Sequence, residues 1–249
     1  MIILKDHREL LLMREAGKIA AGAIERAGQV IRPGVTTYAV DKAIREFIES
    51  HGAKPNFLGL YGFPGSACIS VNEELIHGIP SKKKVIEEGD IVSIDTGALY
   101  KGFNSDTAYT FAAGTVSDST KRLLETTSEC LRRGIGAATV GNRIADISRA
   151  VEEYATTQGY SVVREYEGHG VGRKLHEEPS VPNFVTSHAG PRLCQGMTIA
   201  IEPMINEGTA EVNVLDDDWT VVTKDGKLCA HFEHTVAITN DGPEILTKL

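Results

Sequence analysis

The sequence predicts an α+β protein built from two copies of one helix–helix–strand unit. Three observations carry that expectation. Apolar residues recur at helical spacing over 9–31, from Thr37 to His51, over 118–137 and from Asn142 to Gly159. Each helix pair is followed by short segments that alternate apolar and polar residues with period two, as half-buried strands do. Finally, an offset of 107 residues sets Ala43-Ile44 against Ala150-Val151, Gly52 against Gly159, and Gly89 to Asp95 against Gly196 to Glu202. Two copies of one unit imply a pseudo-two-fold arrangement rather than a solenoid. The expectation is a single domain over 1–249, with halves at about 9–114 and 115–246.

In the first half, Leu12, Ala16, Ile19, Ala20, Ala23, Ile24 and Ala27 form one helical stripe, which Arg32-Pro33-Gly34 ends. Thr36 or Thr37 caps a second helix carrying Val40, Ala43, Ile44, Phe47 and Ile48. The loop from Asn56 to Gly65 is rich in Gly and Pro yet holds Phe57, Leu58, Leu60, Tyr61 and Phe63. Apolar residues that dense in a loop point either to a pocket wall or to packing over the core. Strands are expected over 67–71 and from Glu74 toward Pro80, and Lys82-Lys83-Lys84 reads as a solvated loop. Ile91 to Thr96 is a further strand; Gly97, Lys101-Gly102 and Asn104-Ser105 supply turn chemistry before the chain returns at Asp106.

The second half repeats this order. Ile144, Ile147, Val151, Tyr154 and Ala155 share a helix face, and a strand-like Tyr160 to Tyr166 leads into Gly168-His169-Gly170-Val171-Gly172. A Gly-x-Gly-x-Gly run alone is weak, and no ribose-binding acid follows it in a dinucleotide-fold context. Phe232 to Ile238 parallels Ser105 to Thr110 after extra residues at 208–227, which include Asp216-Asp217-Asp218-Trp219 and read as a long hairpin tip.

Composition narrows the function classes. The 249 residues carry a net charge of −8, with 41% hydrophobic and 24% charged residues. That balance argues against general affinity for nucleic acid or an anionic membrane. Cys68, Cys130, Cys194 and Cys229 form no Cys-x-x-Cys pair, as expected in a reducing compartment. The first residues lack a signal-peptide core, and no apolar run reaches membrane-span length. A cytoplasmic monomer is the expectation.

The chemistry lies where the repeats coincide. Asp95 and Glu202 end equivalent strands, while Asp106 and Glu233 begin their partner strands. A pseudo-two-fold axis would bring these four carboxylates together. Two like charges about 4 Å apart repel by roughly 4 kcal/mol at an effective dielectric of 20. Two divalent cations would neutralise the four, and His169 adds an imidazole nitrogen. Oxygen-rich ligation with one imidazole suits Mn, Co, Fe or Zn. Such a pair can bridge a water and turn it into hydroxide, with Glu202 shuttling the proton. His77 and His176 occupy turn settings where a side chain can face a cleft, and are candidates to polarise a carbonyl and protonate a departing amine. His7, His51, His188 and His231 lie in polar segments expected to be exposed, and His234 should point to the face opposite Glu233.

Taken together, the sequence resembles the type I methionine aminopeptidases, of the pita-bread fold. The resemblance spans nearly the whole chain. It rests on His77-Gly78-Ile79-Pro80, Asp95 with Asp106, Gly168 to Gly172, Leu175-His176-Glu177-Glu178-Pro179, Ile201-Glu202-Pro203 and Glu233-His234-Thr235. It implies a curved antiparallel sheet and a dinuclear metal hydrolase that releases N-terminal Met from nascent chains when the next residue is small. By that resemblance Asp95 binds one metal, Asp106 and Glu233 bridge both, and His169 and Glu202 complete the other. His77 would face the amide beyond the scissile bond and His176 the carbonyl. The thioether pocket falls on Phe63, Cys68 and Trp219, with Phe57 and Leu175 beside it. Gly97 departs from the family, several members placing a hydroxyl residue there. Lys82 to Lys84, Lys224 and Lys227 are candidates for transient ribosome contact. Competing readings are an X-Pro peptidase of the same fold and a non-catalytic binding module.

Overall fold

The computed structural model describes residues 1–249. Helix α1 (His7–Val30) starts at Asp6, whose carboxylate accepts from the Glu9 N–H while the Glu9 carboxylate accepts from the Asp6 N–H. This reciprocal cap satisfies two otherwise orphaned donors. Thr36 caps α2 (Thr37–Ser50), and Ser117 caps α3 (Asp118–Ala137). At the start of α4 (Ile144–Thr157), the Asp146 carboxylate accepts from the Arg143 N–H.

The central sheet has eight strands: β1 (Ala67–Val71), β2 (Ile91–Thr96), β3 (Thr107–Ala112), β4 (Gly168–Gly170), β5 (Glu177–Val181), β6 (Thr198–Ile201), β7 (Glu233–Thr239) and β8 (Gly242–Ile245). Their order is β5-β4-β6-β7-β3-β2-β1, with β8 paired to β7, and every pairing is antiparallel. Strands of the first half thus meet strands of the second at β3–β7. Helices α1 and α2 bury Ala20, Ala23, Ala27, Val40, Ile44 and Ile48 against Ile69, Val92 and Ile94. Helices α3 and α4 likewise bury Leu123, Cys130, Leu131, Ile147 and Val151 against Ile199, Ile201, Val236 and Ile238. The helices therefore take one face of the sheet. Strand alternation sends Ser93 and Asp95 to the other.

Two expectations change in detail. On α1, Leu12, Ile19 and Ile24 are only half-buried, whereas Leu10 and Met13 are buried. Leu10 and Met13 cluster with Phe103, Val171, Ala200, Ala237 and Leu246, all from elsewhere in the chain. A helical stripe cannot anticipate that contact. Over 160–166 only Ser161–Val162 is strand. Within 208–227 a hairpin does form, Val212–Val214 with Val221–Thr223, and it pairs with Glu74–Ile76.

Candidate metal centre and substrate cavity

Register assembles the site. Across four neighbouring strands Cys68 faces Asp95, Asp95 faces Ala108, and Ala108 faces Glu233. Residues paired this way share a face, as does Asp106, two residues before Ala108. Glu202 follows β6 directly, and His169 sits in β4 between two glycines. A Cβ at Gly168 would overlap the Ala200 carbonyl oxygen, and one at Gly170 the Glu178 carbonyl oxygen. Glycine on both sides is what lets the strand carrying His169 lie this close to its neighbours.

His169 Nε2 is 3.5 Å from Asp106 Oδ2 and 3.6 Å from Glu202 Oε1. Its Nδ1 lies 2.8 Å from the Gly170 carbonyl oxygen. A carbonyl only accepts, so Nδ1 carries a proton there and Nε2 is the atom turned toward the carboxylates. Ligand atoms of Asp106, His169 and Glu233 all lie within 4.8 Å of one another.

The carboxylates are poorly provided for by the protein alone. Asp95 Oδ1, Asp106 Oδ1 and Glu233 Oε1 are buried with no hydrogen-bond partner. Burial, with the Asp106 charge adding to it, holds Asp95 and Glu233 well above the usual carboxylate range. Glu202 is pushed up to about 8 by burial, with His169 opposing and Asp106 reinforcing. For His169 burial acts downward, but the Asp106 hydrogen bond and the Glu202 charge outweigh it and raise the ring to about 9. Buried acceptors left unmatched around one imidazole are the donor set a divalent cation requires, so these residues fit a metal.

All twelve residues singled out in the sequence line one cavity of about 420 Å³. Asp95, Asp106, His169, Glu202 and Glu233 lie on its sheet side with His77 and His176, while Phe57, Phe63, Cys68 and Leu175 form an apolar cluster with Trp219 packed on it. Phe63 and Trp219 meet edge to face at 5.1 Å. His77 takes a left-handed backbone conformation, φ 59°, which non-glycine residues adopt at a cost and which recurs at functional positions. Its ring stands edge-on to Tyr166 at 5.7 Å and to Trp219 at 6.3 Å. Burial, then the neighbouring His176 charge, lowers His77 to about 4, and burial together with His169 lowers His176. Both imidazoles are accordingly neutral near pH 7. The His176 ring is 4.4 Å from that of His169 and stacks on Tyr61 at 6.1 Å.

The sequence missed some of this. Tyr166 lines the cavity but stands in a stretch that only suggested a strand. His231 was expected at the surface; it is 1% exposed, and its Nε2 is 3.8 Å from Glu202 Oε2. Polar context misled, although His231 stands two residues before Glu233, where a strand period puts it on the same side. His7, His51 and His188 are exposed, and His234 turns away to meet Thr247 Oγ1 at 2.9 Å. At Gly97 a Cβ would overlap the Ser105 carbonyl oxygen and crowd the Asn56 side chain, so the turn leaves no room for a hydroxyl residue. Of the lysine run, Lys84 pairs with Glu74 and Lys82 lies over the Tyr38 ring.

Comparison with known proteins agrees with this geometry. Residues 11–240 match the model of metallopeptidase family M24. The chain belongs to that family. M24 members are metal-dependent hydrolases, and the methionine aminopeptidases among them are very similar to this chain. The methionine aminopeptidase of Clostridium perfringens is 52% identical over 249 residues, covering 100% of both chains. Methionine aminopeptidase 1 of Bacillus subtilis is 51% identical, again over 100% of each. The crystal structure of the Thermotoga maritima methionine aminopeptidase superposes with a TM-score of 0.98 at 45% identity, covering 100% of both chains. The M24 chain described here therefore has the pita-bread fold. No helix is long and apolar enough to cross a membrane.

Proposed function

We propose that this M24 hydrolase is a methionyl aminopeptidase, removing the N-terminal Met of peptides and nascent chains whose second residue is small. One observation carries the reading. The apolar cluster of Phe57, Phe63, Cys68, Leu175 and Trp219 opens into the same cavity as the carboxylates and neutral histidines. A thioether suits such walls, since sulfur–ring contacts contribute about 0.3–1.5 kcal/mol. With Met seated there, its amide carbonyl falls among the polar groups.

Asp95, Asp106, His169, Glu202 and Glu233 would hold two divalent ions drawn from Co, Mn, Fe or Zn. When bound, these supply Lewis acidity and bring the pKa of water from ~15.7 toward ~7. The chain's own groups handle substrate and protons. His176 donates an N–H to the carbonyl oxygen as negative charge develops there, and His77 holds the amide on the far side of the scissile bond. Glu202 takes the proton of the attacking water and returns it to the departing amine as the C–N bond breaks.

The test is hydrolysis of Met-Ala-Ser by metal-free protein titrated with Co, Mn, Fe and Zn, alongside an Ala-Pro peptide. Release of Met that depends on added metal is expected. Preference for the Ala-Pro peptide would instead support an X-Pro peptidase. Absence of both metal binding and peptidase activity would support a binding module.

A further inference from the structure

The buried imidazole of His231 has no part in the site as described so far. Its backbone is clamped by Thr110: the His231 N–H donates to Thr110 Oγ1 at 3.0 Å, and that hydroxyl donates to the His231 carbonyl at 2.8 Å. Ser93 Oγ supports Thr110 Oγ1 from behind at 2.9 Å. The side chain, by contrast, is 1% exposed and neither ring nitrogen has a hydrogen-bond partner. Leaving such a group unmatched is costly, so a buried orphan calls for an explanation. Its Nε2 points at Glu202 Oε2, while the other oxygen, Oε1, is the one beside His169.

We propose that His231 is a positioning residue for Glu202: its Nε2–H holds Oε2, so that Oε1 is presented to the metal side of the cavity. Only the tautomer with its proton on Nε2 gives Glu202 a partner. The 3.8 Å separation exceeds an ordinary hydrogen bond of about 3 Å, and a small turn of the carboxylate closes it. Groups standing behind ligands in this way fix their orientation and affinity. The proposal rests on the metallopeptidase reading in one respect, that Glu202 is a ligand.

Calorimetric titration of metal-free protein with Mn²⁺ decides it, using wild type, His231→Gln, His231→Asn and His231→Leu, each checked for folding by thermal unfolding. Gln carries its amide nitrogen about as far out as His Nε2, whereas Asn reaches only the Nδ1 position. The Leu and Asn variants should bind Mn²⁺ about 10–100-fold more weakly, with Gln within about threefold of wild type. Should the Leu variant fail to fold, the contrast between Gln and Asn carries the decision. Affinity in the Leu or Asn variant equal to wild type, or equal weakening in all three, overturns the proposal, as does a wild type that binds no divalent ion. Wild type that binds Mn²⁺ but leaves Met-Ala-Ser intact would count against the peptidase reading alone, and the variant affinities would still decide this one.

Discussion

Asp106 is 3% exposed, faces His169 and has one oxygen without a partner, as the ligand role proposed for it requires. Asp106→Ala should abolish tight divalent-ion binding and hydrolysis together. His77 touches none of the carboxylates and stands among Tyr166 and Trp219. His77→Ala should therefore keep its metal, by calorimetry, while kcat on Met-Ala-Ser falls about 10²–10⁴-fold. A His77→Ala variant that loses metal to the same degree as Asp106→Ala would contradict this division. These residues were legible because each is chemically out of place: a carboxylate at the end of an apolar strand, or an imidazole between glycines. His231 was not, because what makes it unusual is burial without a partner, and that exists only once Glu202, from another strand, is set beside it.

At the level of elements, the duplication was readable because equivalent strands carry equivalent carboxylates, Glu202 standing 107 residues after Asp95 and Glu233 following Asp106 at the same place once the extra residues at 208–227 are passed. Contacts between distant segments had no such signal. Lys5, just before α1, donates to Glu177 Oε2 at 2.6 Å, at the start of β5 and next to His176. Their side chains are 2% and 4% exposed. Nothing in the local pattern around either residue announces a partner 172 positions away. The pair anchors the N-terminal segment to the strand beside His176. Lys5→Met leaves Glu177 buried without its counter-charge and should cost about 3–5 kcal/mol of stability in denaturant titration. Adding Glu177→Leu removes the stranded charge and should recover most of that loss. A single variant as stable as wild type would mean the ion pair is not what anchors this segment. Gly97 makes a second element-scale point. The turn at Ser105 presses against it, so Gly97→Ser should destabilise the fold by about 1–3 kcal/mol, measured the same way.

At the scale of the whole molecule, both halves converge on a centre that the metal-free fold keeps only against electrostatic resistance, and pH exposes it. Glu202 in the folded state titrates near 8, and Asp95 and Glu233 are also raised, whereas unfolded carboxyls titrate near 4. Between those values the folded chain holds more protons than the unfolded one, so stability falls as pH rises. His169, raised to about 9, acts with the same sign: its favourable protonation is complete below the unfolded value near 6.5 and is lost as pH climbs through 9. His77, lowered to about 4, and His231, lowered to about 3, act oppositely wherever unfolded imidazoles still hold protons, as do the lowered His176 and His234. That opposition is half spent at about pH 6.5 and fades by about 7.5, so metal-free protein should lose thermal stability across pH 6.5 to 8, most steeply in its upper part. Divalent ions replace the missing protons, so saturating Mn²⁺ should raise the unfolding temperature most at pH 8 and least at pH 6.5. Unfolding curves at fixed ionic strength across that range, with and without Mn²⁺, measure both slopes. A metal-free protein that grows more stable toward pH 8 would mean that the carboxylates find their compensation within the chain itself.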